Sequence, residues 1–261
     1  MTRPLAALAV AIWVSMGTVP AFAQASPDPI EALTREVAAL REAQAVMQQD
    51  LQEIKALLQK AMTPAVSGQG AEPRPSFSLP NAPERGRKGA ATVMLEFSDF
   101  HCPFCGRYTQ EVYPQISKEY VDSGRIGYLF VNMPIDALHP RSFKAHEAAL
   151  CAAEQGRFWE MHDRIFANVQ TSQTPEQLIT HAGAVGVDLE KFRACVAGGR
   201  RAEDVKRDVA QAQALGVRAT PTFVIGTRGA DGQIRAQQVI SGAQPYATFK
   251  AALDNALAGR P

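Results

Sequence analysis

The sequence predicts an α/β domain with an inserted helical block, preceded by a long self-associating helix. Three observations carry this. Residues 91–258 alternate β-prone and helical stretches in the order strand, helix, strand, helical block, helix, β-hairpin, helix. Residues 28–62 repeat apolar side chains at alternating steps of three and four. Between the two, residues 63–90 are rich in Pro and Gly and lack a helical period. The 27 basic and 26 acidic side chains nearly cancel, so no long-range field exists to hold a polyanion. Hydrophobic residues at 46% and charged ones at 20% exclude wholesale disorder. Four cysteines in 261 residues are too few for a disulfide-dense miniature scaffold.

Arg3 is the one charged side chain before Asp28, Leu5 to Val14 is nearly all apolar, and Ala21-Phe22-Ala23 is a small-residue cleavage pattern. Together these read as a signal peptide over residues 1–23, cleaved after Ala23, and predict an exported, periplasmic protein. The alternative is an uncleaved anchor. Ser15, Gly17 and Pro20 interrupt the apolar run and leave it too short to span comfortably.

Asp28-Pro29-Ile30-Glu31 is a helix start, with Asp28 as cap, Pro29 at the first helical position and Glu31 completing a capping box. The seam then runs Ile30, Leu33, Val37, Leu40, Gln44, Met47, Leu51, Ile54, Leu58, Ala61. A period of 3.5 sustained this long predicts a coiled coil about 50 Å long at 1.5 Å per residue. With Ile30 at an a position, Glu36 faces Arg41 and Asp50 faces Lys55 across a parallel in-register pair, and both pairings are opposite in sign. This predicts parallel self-association through residues 28–62. Ile30 and Val37 at a, with Leu33 and Leu40 at d, favour two strands, whereas Leu51 at a with Ile54 at d favours more, so dimer and trimer both stand. Gln44 either fixes register or is a weak point. Residues 63–90, with Pro64, Pro73, Pro75, Pro80 and Pro83, read as a flexible tether with a root-mean-square span of roughly 25–30 Å, carrying at most a short extended piece at Phe77 to Leu79.

In the last segment, Thr92 to Phe97, Ile126 to Val131, Thr222 to Ile225 and Ile234 to Ile240 read as strands. A helix follows Cys102-Pro103-Phe104-Cys105 and reaches about Tyr113, and residues from His139 to about 200 are helical in character. Thr174-Pro175-Glu176-Gln177 and Asp188 are helix starts inside that block. A C-x-x-C beside a βαβ pattern reads as a thioredoxin-like redox pair. At the helix N-terminus, backbone N–H groups and the macrodipole stabilise a Cys102 thiolate, and Cys105 lies one turn on to resolve a mixed disulfide. Zinc needs four ligands, commonly two such pairs, and Cys151 and Cys195 belong to none, so no metal site is expected.

Glu96-Phe97-Ser98-Asp99-Phe100-His101-Cys102-Pro103-Phe104-Cys105 resembles the active-site strand and helix of DsbA-family thiol–disulfide oxidoreductases. Ala219-Thr220-Pro221-Thr222-Phe223-Val224-Ile225-Gly226 is similar to their second signature, a cis-proline loop before a strand. The resemblance implies a thioredoxin-like fold with a helical insertion, Cys102 as nucleophile, Cys105 as resolving thiol, Pro221 as cis-proline against the pair and Thr220 as the residue that pairs with an extended substrate. Phe104, Thr220 and Pro221 would form the substrate groove. Glu96 resembles a buried acid of the wider superfamily, read either as proton relay for Cys105 or as a structural acid. The rod, tether and domain together resemble the oligomeric ScsC-type proteins of the periplasm. Such proteins need no bound cofactor.

One departure matters. Phe104 stands where the strongest oxidant of the family has histidine, so a Cys102 pKa nearer the thioredoxin range and a less oxidising couple are expected, with His101 offsetting part of this. Cys151 and Cys195 read as a structural disulfide worth about 4 kcal/mol in the chain-entropy model; a second redox pair or two free thiols are the alternatives. His139, His146, His162 and His181 are scattered and read as satisfied histidines. Phe100, Phe104, Tyr108 and Phe223 either line a groove or pack the domain.

The expected activity is disulfide isomerisation or reduction of misfolded exported clients by an oligomer, with a membrane thiol reductant as partner. Dithiol oxidation, with an oxidase as partner, and a non-catalytic scaffold or chaperone are the alternatives.

Overall fold

The computed structural model describes residues 28–62, 76–169 and 173–259, and the chain divides into two units near residue 70. The expected signal peptide and residues 63–75 of the tether lie outside the described residues.

The first unit carries α1, Pro29–Met62. Asp28 Oδ1 accepts the Ile30 N–H at 2.9 Å and the Asp28 carbonyl starts the ladder, so the expected residue caps the helix. Ile30, Leu33, Leu40, Met47, Leu51 and Ile54 are each more than half exposed.

The second unit begins inside the stretch expected to be a tether. β1 (Ser76–Phe77) and β2 (Glu84–Gly86) are two short strands docked on opposite edges of the sheet. The tether therefore does not extend to residue 90. Phe77 is 4% exposed and packs with Val93, Leu95 and Phe97 of the core, and Glu84 pairs with Arg228 at 3.0 Å. Gly86 has φ +85°, and a Cβ there would lie 2.6 Å from the Ile126 carbonyl oxygen, so its glycine is a requirement of the docked strand.

β3 (Thr92–Ser98) is central, parallel to β4 (Gly127–Asn132) and antiparallel to β5 (Thr222–Arg228), which pairs with β6 (Ile234–Ser241); the order is β1-β6-β5-β3-β4-β2. All seven residues of β3 are buried, because both faces of the sheet are covered. Val93, Leu95 and Phe97 meet Ala212 of α8 (Ala202–Ala214) and Val217. On the other face Met94 meets Tyr108, Phe223 and Phe249, the last from α9 (Tyr246–Ala258).

The helix after the cysteine pair begins as α2 (Pro103–Arg107) and runs past the expected end at Tyr113. It continues through a π turn at Tyr108–Val112, α3 (Tyr113–Ile116) and a second π turn at Ser117–Val121. Pro114 lacks an N–H and its ring crowds the preceding turn; the wider π turn lets the helix pass it.

The inserted block is α4 (Ser142–Ala153), α5 (Phe158–Phe166), α6 (Pro175–Ala184) and α7 (Leu189–Ala197). Thr174 and Gln177 form a reciprocal capping box and Asp188 caps α7, as their sequence signals indicate. The block has its own core, in which Ala145, Ala148, Ala149 and Ala152 let α5 and α7 pack closely. Phe100, Cys102 and Cys105 join that core, so the cysteine pair sits at the seam between sheet and block. A Cβ on Gly106 would meet Val169 Cγ1 at 2.8 Å, so glycine also permits the close approach there.

Candidate active site

Cys102 is the N-cap of α2, extended at φ −73° and ψ 120°, with Pro103 at the first helical position. Its N–H is bonded to the Asp99 carbonyl at 3.0 Å and its carbonyl accepts from Gly106. Cys102 is 4% exposed and Cys105 is fully buried; both are free thiols. The hydrogen bond from Cys105 is the main force pulling the Cys102 pKa down to about 6. Burial opposes it, and Thr220 and the Cys105 and Phe104 N–H groups add to the pull. Burial first, then the negative charge on Cys102, pushes the Cys105 thiol well above its ordinary value. One sulfur is thus a thiolate at neutral pH and the other keeps its proton, the division of labour a dithiol exchange needs.

The Thr220–Pro221 peptide is cis. Cys102 Sγ lies 3.4 Å from the Thr220 carbonyl oxygen. The Pro221 carbonyl accepts from Gly242 N at 2.8 Å and Thr222 Oγ1 donates to the Ala219 carbonyl at 2.7 Å, so the loop is held from both sides. The two signatures, more than a hundred residues apart, form one site.

Beneath them Glu96 is 1% exposed, on the same face of β3 as Met94. Ser98 Oγ donates to its Oε1 at 2.7 Å, and the Tyr128 hydroxyl makes a short bond to its Oε2. Tyr128 also lies 3.3 Å from the Tyr108 hydroxyl. Burial raises the Glu96 carboxyl to about 7; the Tyr128 and Ser98 hydrogen bonds hold back a larger rise, and the Cys102 charge adds to it.

A second polar knot supports the turn before Cys102. The fully buried Asp99 accepts from the N–H groups of His101 and Ile135 at 2.8 Å each, from Ser142 in a short bond, and pairs with His139 Nδ1 at 2.8 Å. His146 Nε2 faces the Phe100 N–H at 3.4 Å, which leaves its Nδ1 proton for Asn132 Oδ1 at 2.7 Å. Burial pushes His146 down to about 3, so its ring is neutral and holds the turn by hydrogen bonds alone. Ser98, Asp99, Tyr128 and His146 are not singled out by sequence reasoning as site residues. The i+2 spacing of Ser98 from Glu96, on the same strand face, is the one signal that points to any of them.

His101 does not supply the expected offset, because burial lowers its pKa and leaves it neutral at pH 7. Phe100, Tyr108 and Phe223 are fully buried and pack the two cores, whereas Phe104 is 55% exposed with the Arg107 guanidinium 5.3 Å from its ring centre. Cys151 and Cys195 are bonded, with Cα atoms 5.9 Å apart, and join α4 to α7. Both are 1% exposed. Among the described residues no group of three or more His, Cys, Asp or Glu could hold a metal ion.

A family model described as Thioredoxin matches residues 78–255, which include both signatures and the whole inserted block. The chain belongs to the thioredoxin family. Within it the fold is DsbA-like. BdbD of Bacillus subtilis superposes with a TM-score of 0.62 at 24% identity, covering 71% of this chain and 98% of that one. The alpha-DsbA1 protein of Wolbachia pipientis gives 0.61 at 21%, covering 70% and 94%. A thioredoxin-like oxidoreductase of Silicibacter pomeroyi gives 0.56 at 25%, covering 70% and 95%. Curated relatives include the Na(+)/H(+) antiporter NhaA 3 of Salinispora tropica, 37% identical over 144 residues, which are 55% of this chain and 21% of that protein. The NhaA antiporter of Herminiimonas arsenicoxydans is 34% identical over 155 residues, 59% of this chain and 24% of that protein. The chain thus spans about a fifth to a quarter of the curated relatives it matches. Among the described residues no helix is long and apolar enough to cross a membrane.

Proposed function

We propose that the protein is an exported thiol–disulfide oxidoreductase that isomerises or reduces protein disulfides as a parallel homo-oligomer. The observation that carries the reading is the asymmetry of the pair: a Cys102 thiolate at the N-cap of α2 against the cis-proline loop, with a protonated, buried Cys105 one turn on. The Cys102 thiolate attacks a client disulfide. Cys105 then resolves the mixed disulfide, or a client thiol does so, leaving a rearranged client. A value of about 6 lies nearer the ~7 of thioredoxin than the ~3.5 of DsbA, which supports a reductant or isomerase over a strong oxidant.

Thr220 and Pro221 would seat an extended client strand beside Cys102, and the exposed Phe104 would offer it an apolar contact. Glu96 would take up the Cys105 proton. The open apolar seam of α1 and the paired signs at Glu36 with Arg41 and Asp50 with Lys55 support self-association with a second copy of the chain. The signal-peptide pattern supports export. Isomerisation requires a reduced Cys102, so a membrane thiol reductant is the implied partner.

The test is reactivation of scrambled ribonuclease by the mature chain in a glutathione buffer. Strong reactivation that drops when residues 28–62 are deleted is the expected result. Rapid oxidation of a reduced dithiol peptide without reactivation identifies a dithiol oxidase instead. A Cys102 inert to a small alkylating reagent after mild reduction identifies a scaffold or chaperone.

A further inference from the structure

A pocket of about 230 Å³ opens beside the cis-proline loop, on the face of the sheet that α8 covers. Leu215 and Val217, which follow α8, line it together with Val224 of β5 and Val239 of β6. Ala219 and Thr222 also line it, and these two residues flank the Thr220–Pro221 peptide, whose Thr220 carbonyl lies 3.4 Å from Cys102 Sγ. The pocket is thus continuous with the loop that meets the nucleophile. Val224 and Val239 stand opposite each other in the β5–β6 register, yet Val224 is buried and Val239 is 55% exposed. The difference comes from the edge. β1 borders β6 only at Ile234 and Arg235, so beyond Arg235 the outer edge of β6 has no strand partner among the described residues. Arg218 lines the same pocket and is exposed, and among the described residues its side chain makes no ion pair or hydrogen bond.

We propose that this pocket is a client subsite: it takes an apolar side chain two residues from the client cysteine, and Arg218 pairs with a carboxylate beside that side chain. The proposal rests on reading Cys102 as the attacking thiolate and the cis-proline loop as the client seat. A client strand paired with Thr220 runs alongside the residues that precede Thr220 in the chain, which are Arg218 and Ala219. Side chains of a strand alternate, so the client residue two places from the bonded cysteine turns back to the same face as the cysteine. On that face lies the pocket. Recognition of an added strand divides in this way: backbone pairing supplies affinity, and pockets for alternate side chains supply specificity. Leu215, Val217, Val224 and Val239 offer the incoming side chain carbon surface, which selects an aliphatic group over a polar one. The free Arg218 guanidinium adds a sign to the choice and favours an acidic neighbour over a basic one.

The test uses the full mature chain, reduced, and single-cysteine peptides whose cysteine carries thionitrobenzoate. Cys102 attacks the peptide sulfur, the peptide–aryl disulfide breaks, and the electron pair leaves on the coloured thionitrobenzoate. Its release, followed by stopped flow, gives the second-order rate constant of that step, divided by the constant for glutathione with the same peptide. The peptides carry Leu or Ser two residues before or after the cysteine, with Glu or Lys as the outer neighbour. At one of the two positions Leu is expected to react about tenfold faster than Ser. Glu beside it is expected to react about threefold faster than Lys at low salt. Val239→Ser, a change at an exposed position, is expected to remove most of the Leu preference and keep the charge preference; Arg218→Gln is expected to do the reverse. Both readouts are ratios within one chain, so a general loss of fold or activity does not imitate them. A wild-type chain that treats Leu and Ser alike at both positions overturns the proposal, and a pocket filled by a second copy or by another part of this chain gives that result. A Leu preference that survives Val239→Ser, or a charge preference that survives Arg218→Gln, overturns it too. Failure of the underlying functional reading looks different: the wild-type chain then reacts with no peptide faster than glutathione does, and both fall.

Discussion

Glu96 is held as a buried acid at a cost that depends on pH. Its carboxyl has an ordinary value of 4.5 and a folded value of about 7, raised chiefly by burial. A carboxyl whose pKa is raised on folding favours the folded state below its unfolded value and loses that contribution as pH rises through the folded value. The reduced protein should therefore lose stability between about pH 4.5 and about pH 7, by ~3 kcal/mol for a shift of this size. Glu96→Gln removes the titration and keeps the shape. Urea unfolding of the reduced wild-type and Gln chains at the two ends of that window should show their difference moving by this amount in favour of glutamine at the higher pH. No movement would mean that Glu96 is solvated, and movement the other way that its carboxylate is stabilised by the fold. Cys102 behaves oppositely, since its lowered pKa stabilises the reduced fold as pH rises; both chains share that contribution, and only its charge coupling to Glu96 enters the difference.

Within the inserted block, the Cys151–Cys195 bond ties α4 to α7 across 44 residues and lies in the apolar core that Cys102 and Cys105 join. In the chain-entropy model a loop of that length stabilises by about 4 kcal/mol. Replacing both residues with alanine should lower the free energy of urea unfolding by that order while leaving the alkylation rate of Cys102 unchanged. A changed alkylation rate would show that the block tunes the pair through this bond. The elements differ in how plainly the sequence announces them. α1, β3 to β6 and the caps of α6 and α7 are legible because their signals are local: a heptad, an apolar run, Thr174 with Gln177, Asp188. C-x-x-C and Thr-Pro before a strand are local too, and the fold brings them within 3.4 Å. β1 and β2 are not legible, since two or three residues among prolines and glycines acquire strand character only from the edges they meet. The polar support of the site is hidden for a related reason. Asp99 finds Ile135, His139 and Ser142, Glu96 finds Tyr128, and His146 finds Phe100, at separations of 32 to 46 residues that no period records. Alternation alone, which sets Glu96 with Met94 opposite Val93, Leu95 and Phe97, supports its burial only weakly; it is buried because β3 is covered on both faces.

At the scale of the whole molecule, the proposed activity turns on who can reach Cys102. Self-association through α1 would bring several thiolates to one assembly, so that a client held by one domain meets a second at high effective concentration. That favours repeated exchange on one client, which is isomerisation. The same assembly would restrict a bulky oxidase that must dock on a single domain, and this would keep the pair reduced. The two effects separate by the size of the reagent. Deleting residues 28–62 should leave oxidation by glutathione disulfide unchanged, because a small molecule reaches Cys102 of one domain regardless of its neighbours. It should speed oxidation by a membrane-bound dithiol oxidase and, in the same chain, reduce ribonuclease reactivation. Sedimentation equilibrium on the same two chains supplies the control, with the full chain expected to be an oligomer and the deleted chain a monomer. If the deletion yields a monomer and oxidase and glutathione disulfide still oxidise both chains at equal rates, then α1 serves location or client capture, and protection of the reduced pair must come from the Phe104 and cis-proline surface of each domain.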